Sequence, residues 1–394
     1  MMLSIVFVLS GLFLWARAAN PEENMSASEI IHYHGYPEED HWVVTEDGFI
    51  LGMQRIPHGK GGSQVGQRPP FFLQHGLLCS STVWLTNTEK RNLAFLLADS
   101  GFDVWLGNIR GNTYSTNHTK LSPKDKIFWS WSFDEMARYD IPAMLYYVMN
   151  HTNQSEVFYA GHSQGTIIAF AGFSINPELA SHVKTFYALA PVARVSHIEG
   201  LLKYLSYFTP EIDDLFKLFG EYDFLPNDEL MKLFAQYFCP EDVSVCSNVL
   251  FLICGYDKSD LNETRVPIYL SHTPAGTSVQ NMVHLSQEIR SGLFQMYDYG
   301  SKEKNAAHYG GKTVPPVYNL TDFHVPMYAY SGTKDFLANP VDVAWLMPQL
   351  DSLLKHIVID NYDHLDFIWG IDAADKVYSH VIATANQRIT ATTS

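Results

Sequence analysis

The sequence predicts an α/β protein: a mostly parallel sheet with helices on both faces, carrying a helical insertion in its second half. Three observations predict it. Short β-rich runs alternate with helical stretches up to about residue 191 and again after about residue 320. A Gly-x-Ser-x-Gly turn joins one strand to a helix. Two late strands each end in a loop bearing one reactive side chain, first an aspartate and then a histidine.

Taken in order, residues 71–75 and 102–106 read as buried strands. Residues 132–150 read as a helix, with Phe133, Met136, Ile141, Leu145 and Val148 near helical spacing and Pro142 as a kink. A strand at 156–160, a turn and a helix at 164–173 follow, then a strand at 184–189. Near the end come a strand at 326–330, a helix at 341–350, a strand at 356–360 and a helix at 373–386. Residues 192–319 break this rhythm: they are rich in Leu, Phe and Tyr and hold three of the four cysteines. They are expected to form a cap on a core made of 19–191 and 320–394. Part of the cap, about 223–254, is expected to lie as a lid over the Gly-x-Ser-x-Gly turn.

Composition bounds the rest. The chain has 394 residues, 26 Lys and Arg against 42 Asp and Glu, a net charge of −16 and 46% hydrophobic residues. Such a chain has ample material for a core, and it is longer than the roughly 250–300 residues one core usually supports. The acidic balance and the lack of basic clusters exclude nucleic acid as a partner. Residues 3–15 are apolar and lead into Ala16-Arg17-Ala18, a signal-peptide pattern that places the mature start after residue 18. That run is shorter than the ~20 residues of a membrane span, and no later run reaches that length. Six Asn-x-Ser/Thr sequons, at Asn24, Asn117, Asn150, Asn153, Asn262 and Asn319, agree with passage through the secretory pathway. In that oxidising setting the four cysteines can pair.

The turn is Gly161-His162-Ser163-Gln164-Gly165. Its glycines are required by crowding, because the chain folds back so tightly that a Cβ two residues either side of the serine would strike backbone. The helix behind Ser163 favours the negative charge that builds up in acyl transfer. A serine nucleophile needs a base, an acid that orients the base, and two N–H donors for the oxyanion. Upstream, the strand at 71–75 runs into His75-Gly76-Leu77-Leu78, so the Leu77 and Gln164 N–H groups are the expected oxyanion hole. Downstream, Asp335 follows one strand and His364 another, 172 and then 29 residues on. That is the Ser, acid, His order of α/β-hydrolases. Of the 17 histidines, His356 and His380 fall inside a strand and a helix, and His162 is expected to point away from the site. Asp363 and Asp366 are expected to hold the His364 loop. No metal-ligand spacing and no phosphate-binding glycine loop is present, so no metal or cofactor is expected.

His75-Gly76-Leu77-Leu78, 103–108, Arg110-Gly111-Asn112-Thr113, 161–166, Tyr269-Leu270-Ser271-His272, 274–281 and 364–367 together resemble the acid lipase family of animals, the group of gastric lipase and lysosomal acid lipase. The resemblance covers the chain from about residue 20 to its C-terminus. It implies an α/β-hydrolase with cap and lid that cleaves neutral lipid esters without a cofactor, at a lipid–water interface, secreted or lysosomal. It supports Ser163, Asp335 and His364 as the triad with Leu77 and Gln164 as the hole. It also implies a Cys239–Cys246 disulfide with Cys254 free. Two stretches depart from the family: Tyr330-Ser331-Gly332 stands where Asn-Gly-Gly is usual, and 336–340 reads Phe-Leu-Ala-Asn-Pro instead of Leu-Leu-Ala-Asp-Pro. The rival readings are a carboxylesterase for soluble esters and a lipid-binding protein that does not use its triad.

Overall fold

The structure is a computed structural model that describes residues 20–62, 67–200, 203, 223–224 and 260–390. The expected signal peptide, almost all of the expected lid, and Cys239, Cys246 and Cys254 lie outside the described residues.

The strands are β1 (Glu39–Val44), β2 (Phe49–Ile56), β3 (Pro70–Gln74), β4 (Asp103–Gly107), β5 (Asn117–His118), β6 (Val157–His162), β7 (Val183–Leu189), β8 (Asp223–Phe224), β9 (Thr277–Ser278), β10 (Met327–Gly332) and β11 (Leu353–Ile359). The main sheet runs β1-β2-β4-β3-β6-β7-β10-β11, with β5 beside β2. From β4 to β11 every pairing is parallel, whereas β1 and β2 are antiparallel to their neighbours. β3, β4 and β6 are buried at every position, as central strands covered on both faces must be. Between them run the helices α1 (Leu93–Asp99), α2 (Ile141–Thr152) and α3 (Gln164–Ile175), with α4 (Val279–Ser291) in the insertion and α5 (Ser379–Thr390) at the end. α3 is buried on all sides from Gln164 to Phe173, so its sequence is apolar all round.

The expected elements are present, with three differences. The β1–β2 hairpin is absent from the sequence reading because edge strand β1 (EDHWVV) exposes alternate residues, including Trp42 and Val44. Its signal was Asp47-Gly48, a hairpin dipeptide whose glycine adopts φ +102°. The kink expected at Pro142 lies just ahead of it, as a π-turn over Met136–Asp140 in which the Ile141 N–H reaches back to the Met136 carbonyl. β11 starts three residues early because Lys355 and His356 interrupt its apolar run in the sequence, whereas it pairs with β10 from Leu353 onward. In the described part of the insertion, α4 and two shorter helices (Val266–His272 and Lys302–His308) accompany a two-stranded ribbon of β8 and β9.

Candidate active site

Ser163 sits between β6 and α3 at φ +52°, ψ −116°, a conformation that costs a non-glycine residue about 1–3 kcal/mol. The surroundings hold it there. Its N–H donates to Leu189 O (3.1 Å), and its carbonyl accepts from both the N–H and the hydroxyl of Thr166 (2.7 and 2.6 Å). The Thr166 hydroxyl in turn accepts from Val192 N–H (2.7 Å). A Cβ on Gly161 would lie 2.5 Å from Gly165 O, and one on Gly165 would lie 2.5 Å from Gln74 O. Both glycines are therefore obligatory for the turn.

Asp335 and His364 come from the loops after β10 and β11. Nδ1 of His364 is 3.0 Å from each carboxylate oxygen of Asp335, and both side chains are buried. Asp335 Oδ1 also accepts from the N–H groups of Leu337 and Ala338, at 2.8 Å each. Nε2 of His364 is buried with no hydrogen-bond partner among the described residues, which leaves it available as a base. The two loops are laced together: Lys334 N–H donates to Tyr362 O, and a Cβ on Gly332 would lie 2.2 Å from that same carbonyl. Asp363 accepts from Leu365 and Asp366 N–H, and Asp366 accepts from Asp363 N–H, so this pair shapes the turn that carries His364. Burial, with the Asp335 carboxylate nearby, pushes Asp363 up to about 6.

The two departures from the family pattern have local explanations. Ser331 Oγ bonds His356 Nε2 (2.7 Å), and Asn339 caps the helix Pro340–Leu346 through Val341 N–H (3.0 Å), a task an aspartate performs equally well. His380 is held by Tyr330 (2.7 Å). His162 corrects the expectation that it points away. Its ring centroid lies 4.9 Å from that of His364, and its Nε2–H donates to His364 O at 2.9 Å. Burial drives this imidazole well below its ordinary pKa, so it stays neutral.

Leu77 is half-buried in a loop pressed against the nucleophile: a Cβ on Gly76 would lie 3.0 Å from Ser163 Cβ. Leu78 is left-handed at φ +58°, and its carbonyl accepts from Ala275 N–H (2.7 Å). Gln164 N–H belongs to the first turn of α3, where backbone donors lack helical partners. The Gln164 side chain accepts from Asn281 Nδ2 of α4 (2.8 Å), which ties the insertion to the elbow.

Sequence reasoning also missed a buried ionic knot. Arg110, 1% exposed, bonds Asp140 and Asp47 (2.6 and 2.7 Å) and lies 4.1 Å from the Phe49 ring centroid. Its only sequence signal is the Arg-Gly-Asn segment. Glu39, His41 and His151 approach within 4.8 Å, but Arg55 already bonds Glu39 (2.7 Å) and His151 Nε2 (3.2 Å), so a guanidinium holds the place a metal would need. Cys79 is a free, buried thiol that burial pushes up to about 12. Five sequon asparagines are exposed, and Asn262 is half-buried.

An elbow serine after a central parallel strand, an acid after a later strand and a histidine after the last strand define an α/β-hydrolase. A family model described as "alpha/beta hydrolase fold" matches residues 69–371, and one described as "Partial alpha/beta-hydrolase lipase region" matches 27–88. The chain is 47% identical to gastric triacylglycerol lipase of Homo sapiens over 390 residues, 98% of this chain and 97% of that one. It is 47% identical to human lysosomal acid lipase/cholesteryl ester hydrolase over 369 residues, 93% of this chain and 92% of the other. It thus belongs to the acid lipase family of α/β-hydrolases. The fold alone is shared with a candidate lipase from Sulfolobus solfataricus, at TM-score 0.58 and 14% identity over 88% of this chain and 99% of that one. No helix among the described residues is long and apolar enough to cross a membrane.

Proposed function

We propose that this protein hydrolyses carboxylic esters of neutral lipids, triacylglycerols or steryl esters, by an acyl-enzyme mechanism. The observation that carries this is the buried Asp335–His364 pair, with Nε2 unengaged, beside a serine held at a strained elbow. Ser163 Oγ attacks the ester carbonyl while His364 Nε2 takes its proton. The Leu77 and Gln164 N–H groups bind the oxyanion, and Asp335 stabilises the imidazolium. Collapse of the intermediate expels the alcohol, which takes the proton from His364. Water, deprotonated by the same nitrogen, then frees the fatty acid and restores Ser163.

The substrate class follows the relatives, named for triacylglycerol and for cholesteryl esters. Residues 192–319 act as the cap over a core of 19–191 and 320–394, and 223–254 as an interfacial lid. The chain enters the secretory pathway behind a signal peptide, carries glycans on its sequons and closes a Cys239–Cys246 bridge. It acts outside the cell or in the lysosome.

The test is fluorophosphonate labelling of the purified glycosylated protein, with mapping of the label, followed by a panel of lipid and soluble esters. Labelling at Ser163 and a rate that jumps when a short-chain ester passes its solubility limit support the proposal. A smooth hyperbolic rate through that limit would make it an esterase for soluble substrates. No labelling at Ser163 would make it a lipid binder without catalysis.

A further inference from the structure

His75 lies at the end of β3, is 1% exposed, and takes no part in the triad. Its Nδ1 is 2.8 Å from the carbonyl oxygen of Gly76, the peptide that carries Leu77 N–H. Its Nε2 faces two donors: Ile109 N–H (3.3 Å) and Asn112 Nδ2 (3.0 Å). The orientation of the Asn112 amide is fixed by its other bonds. Its Oδ1 accepts from Tyr114 N–H (3.0 Å), and its Nδ2 also donates to Asn108 Oδ1 (2.9 Å). Asn108 Oδ1 is itself fixed as an acceptor by Ser81 N–H (2.8 Å). Every bond in this chain therefore makes Nε2 an acceptor, and a neutral imidazole accepting at Nε2 must carry its proton on Nδ1.

The Nδ1–H then donates to Gly76 O, which also receives Cys79 N–H (3.3 Å). In a trans peptide the carbonyl and the following N–H point in opposite directions. Anchoring Gly76 O thereby turns Leu77 N–H away from the anchor, and no side chain at residue 76 stands between this peptide and Ser163. We propose that His75 is a positioning residue which, as the neutral Nδ1–H tautomer, fixes the Gly76–Leu77 peptide so that Leu77 N–H serves the oxyanion. The inference rests on the acyl-transfer reading above. Burial supports it by driving the His75 imidazole down to about 4, so the ring stays neutral in mildly acidic surroundings.

Two substitutions separate the ring's two nitrogens. In His75→Asn the amide Nδ2 can replace Nδ1–H, whereas in His75→Gln the amide reaches the Nε2 position and the bond to Gly76 O is lost. With a dissolved short-chain ester, His75→Gln is expected to lower kcat by about 10²-fold, the effect of losing one oxyanion donor, with KM nearly unchanged. His75→Asn is expected to lose less than about tenfold at a similar melting temperature. Equal losses in the two variants, or losses confined to KM, would overturn the proposal. If neither variant folds, Asn112→Ser carries the test: with one donor to Nε2 gone, kcat should fall several-fold at constant KM, and an unchanged kcat overturns it. Wild-type protein and Ser163→Ala run alongside. Ester hydrolysis missing from wild type, or surviving in Ser163→Ala, defeats the acyl-transfer reading itself, whereas Ser163-dependent hydrolysis with equal Asn and Gln losses defeats only the role of His75.

Discussion

Nδ1 of His364 lies 3.0 Å from each carboxylate oxygen of Asp335, so its proton is shared across a two-point acceptor and Nε2 is left to act as base. Ser163→Ala and His364→Ala are each expected to reduce ester hydrolysis by several orders of magnitude, with the double variant little worse than either, because such groups act as a unit. Asp335→Asn is expected to cost about 10³- to 10⁴-fold by favouring the wrong tautomer. Steady-state rates on one soluble ester check all four variants. Near-wild-type activity in Asp335→Asn would point to another acid.

The elbow tolerates no side chain at Gly165, where a Cβ would lie 2.5 Å from Gln74 O and 2.9 Å from His75 O. Both neighbours are backbone, of the last residue of a central strand and the one that follows it, and cannot give way. Gly165→Ala is expected to lose more than about 3 kcal/mol of stability or to fail to fold altogether. Yield and thermal melting decide it, and a variant that melts with the wild type would mean that β3 can shift.

Removing Arg110 leaves Asp140, whose side chain is fully buried, without its counter-charge. Arg110→Leu is expected to cost about 3–5 kcal/mol. Adding Asp140→Asn should restore part of that loss, because the charge left behind causes most of it. Urea unfolding of the two variants measures both effects, and a double variant no better than the single one would assign the loss to packing around Phe49 instead.

Stability should be highest in acid at the junction between α4 and the entry to α2. Burial pushes Asp134 up to about 6, although it accepts from Tyr297 N–H and Tyr318 hydroxyl, and burial also raises Glu135 and Glu288. A carboxyl whose folded pKa is raised stabilises fully below its unfolded value, and that contribution is lost as pH rises through the folded pKa. For Asp134 the loss runs from about pH 4 to about 6 and amounts to roughly 3 kcal/mol. His284, stacked on Phe133 and pushed down to about 4 by burial, opposes this in part, because its contribution is lost as pH falls from about 6.5 through 4. Melting temperatures between pH 4.5 and 7.5 should therefore fall less with rising pH in Asp134→Asn than in wild type. Identical slopes would remove Asp134 from the account.

Cys79 is sealed in the core, and its thiol is held protonated by burial. Iodoacetamide is expected to leave it unlabelled in native protein and to label it fully after denaturation. Peptide mapping checks this, and labelling of the native state would mean that the loop carrying Leu77 opens.

Ser163, Asp335 and His364 were legible in the sequence because each stands where a local pattern changes. A β-run ends, a short loop follows, and one reactive residue lies in it. The glycines at 161 and 165 were legible for the same reason, since the turn that needs them is five residues long. β1 and the first residues of β11 were obscured because an edge strand half-exposed to water has no uniform hydrophobic signature. His162 was misjudged, since nothing at residues 161–165 announces that a loop about 200 residues later lies beneath its ring. The sequence by itself thus determined the order of the reactive groups and the strand ends that present them. Tertiary structure alone decided which nitrogen of His364 meets Asp335, which tautomer His75 adopts, and that Arg110 finds both Asp47 and Asp140. Those outcomes depend on donors and acceptors far apart in the chain that meet only when the sheet closes, where burial leaves each polar group only its neighbours to bond.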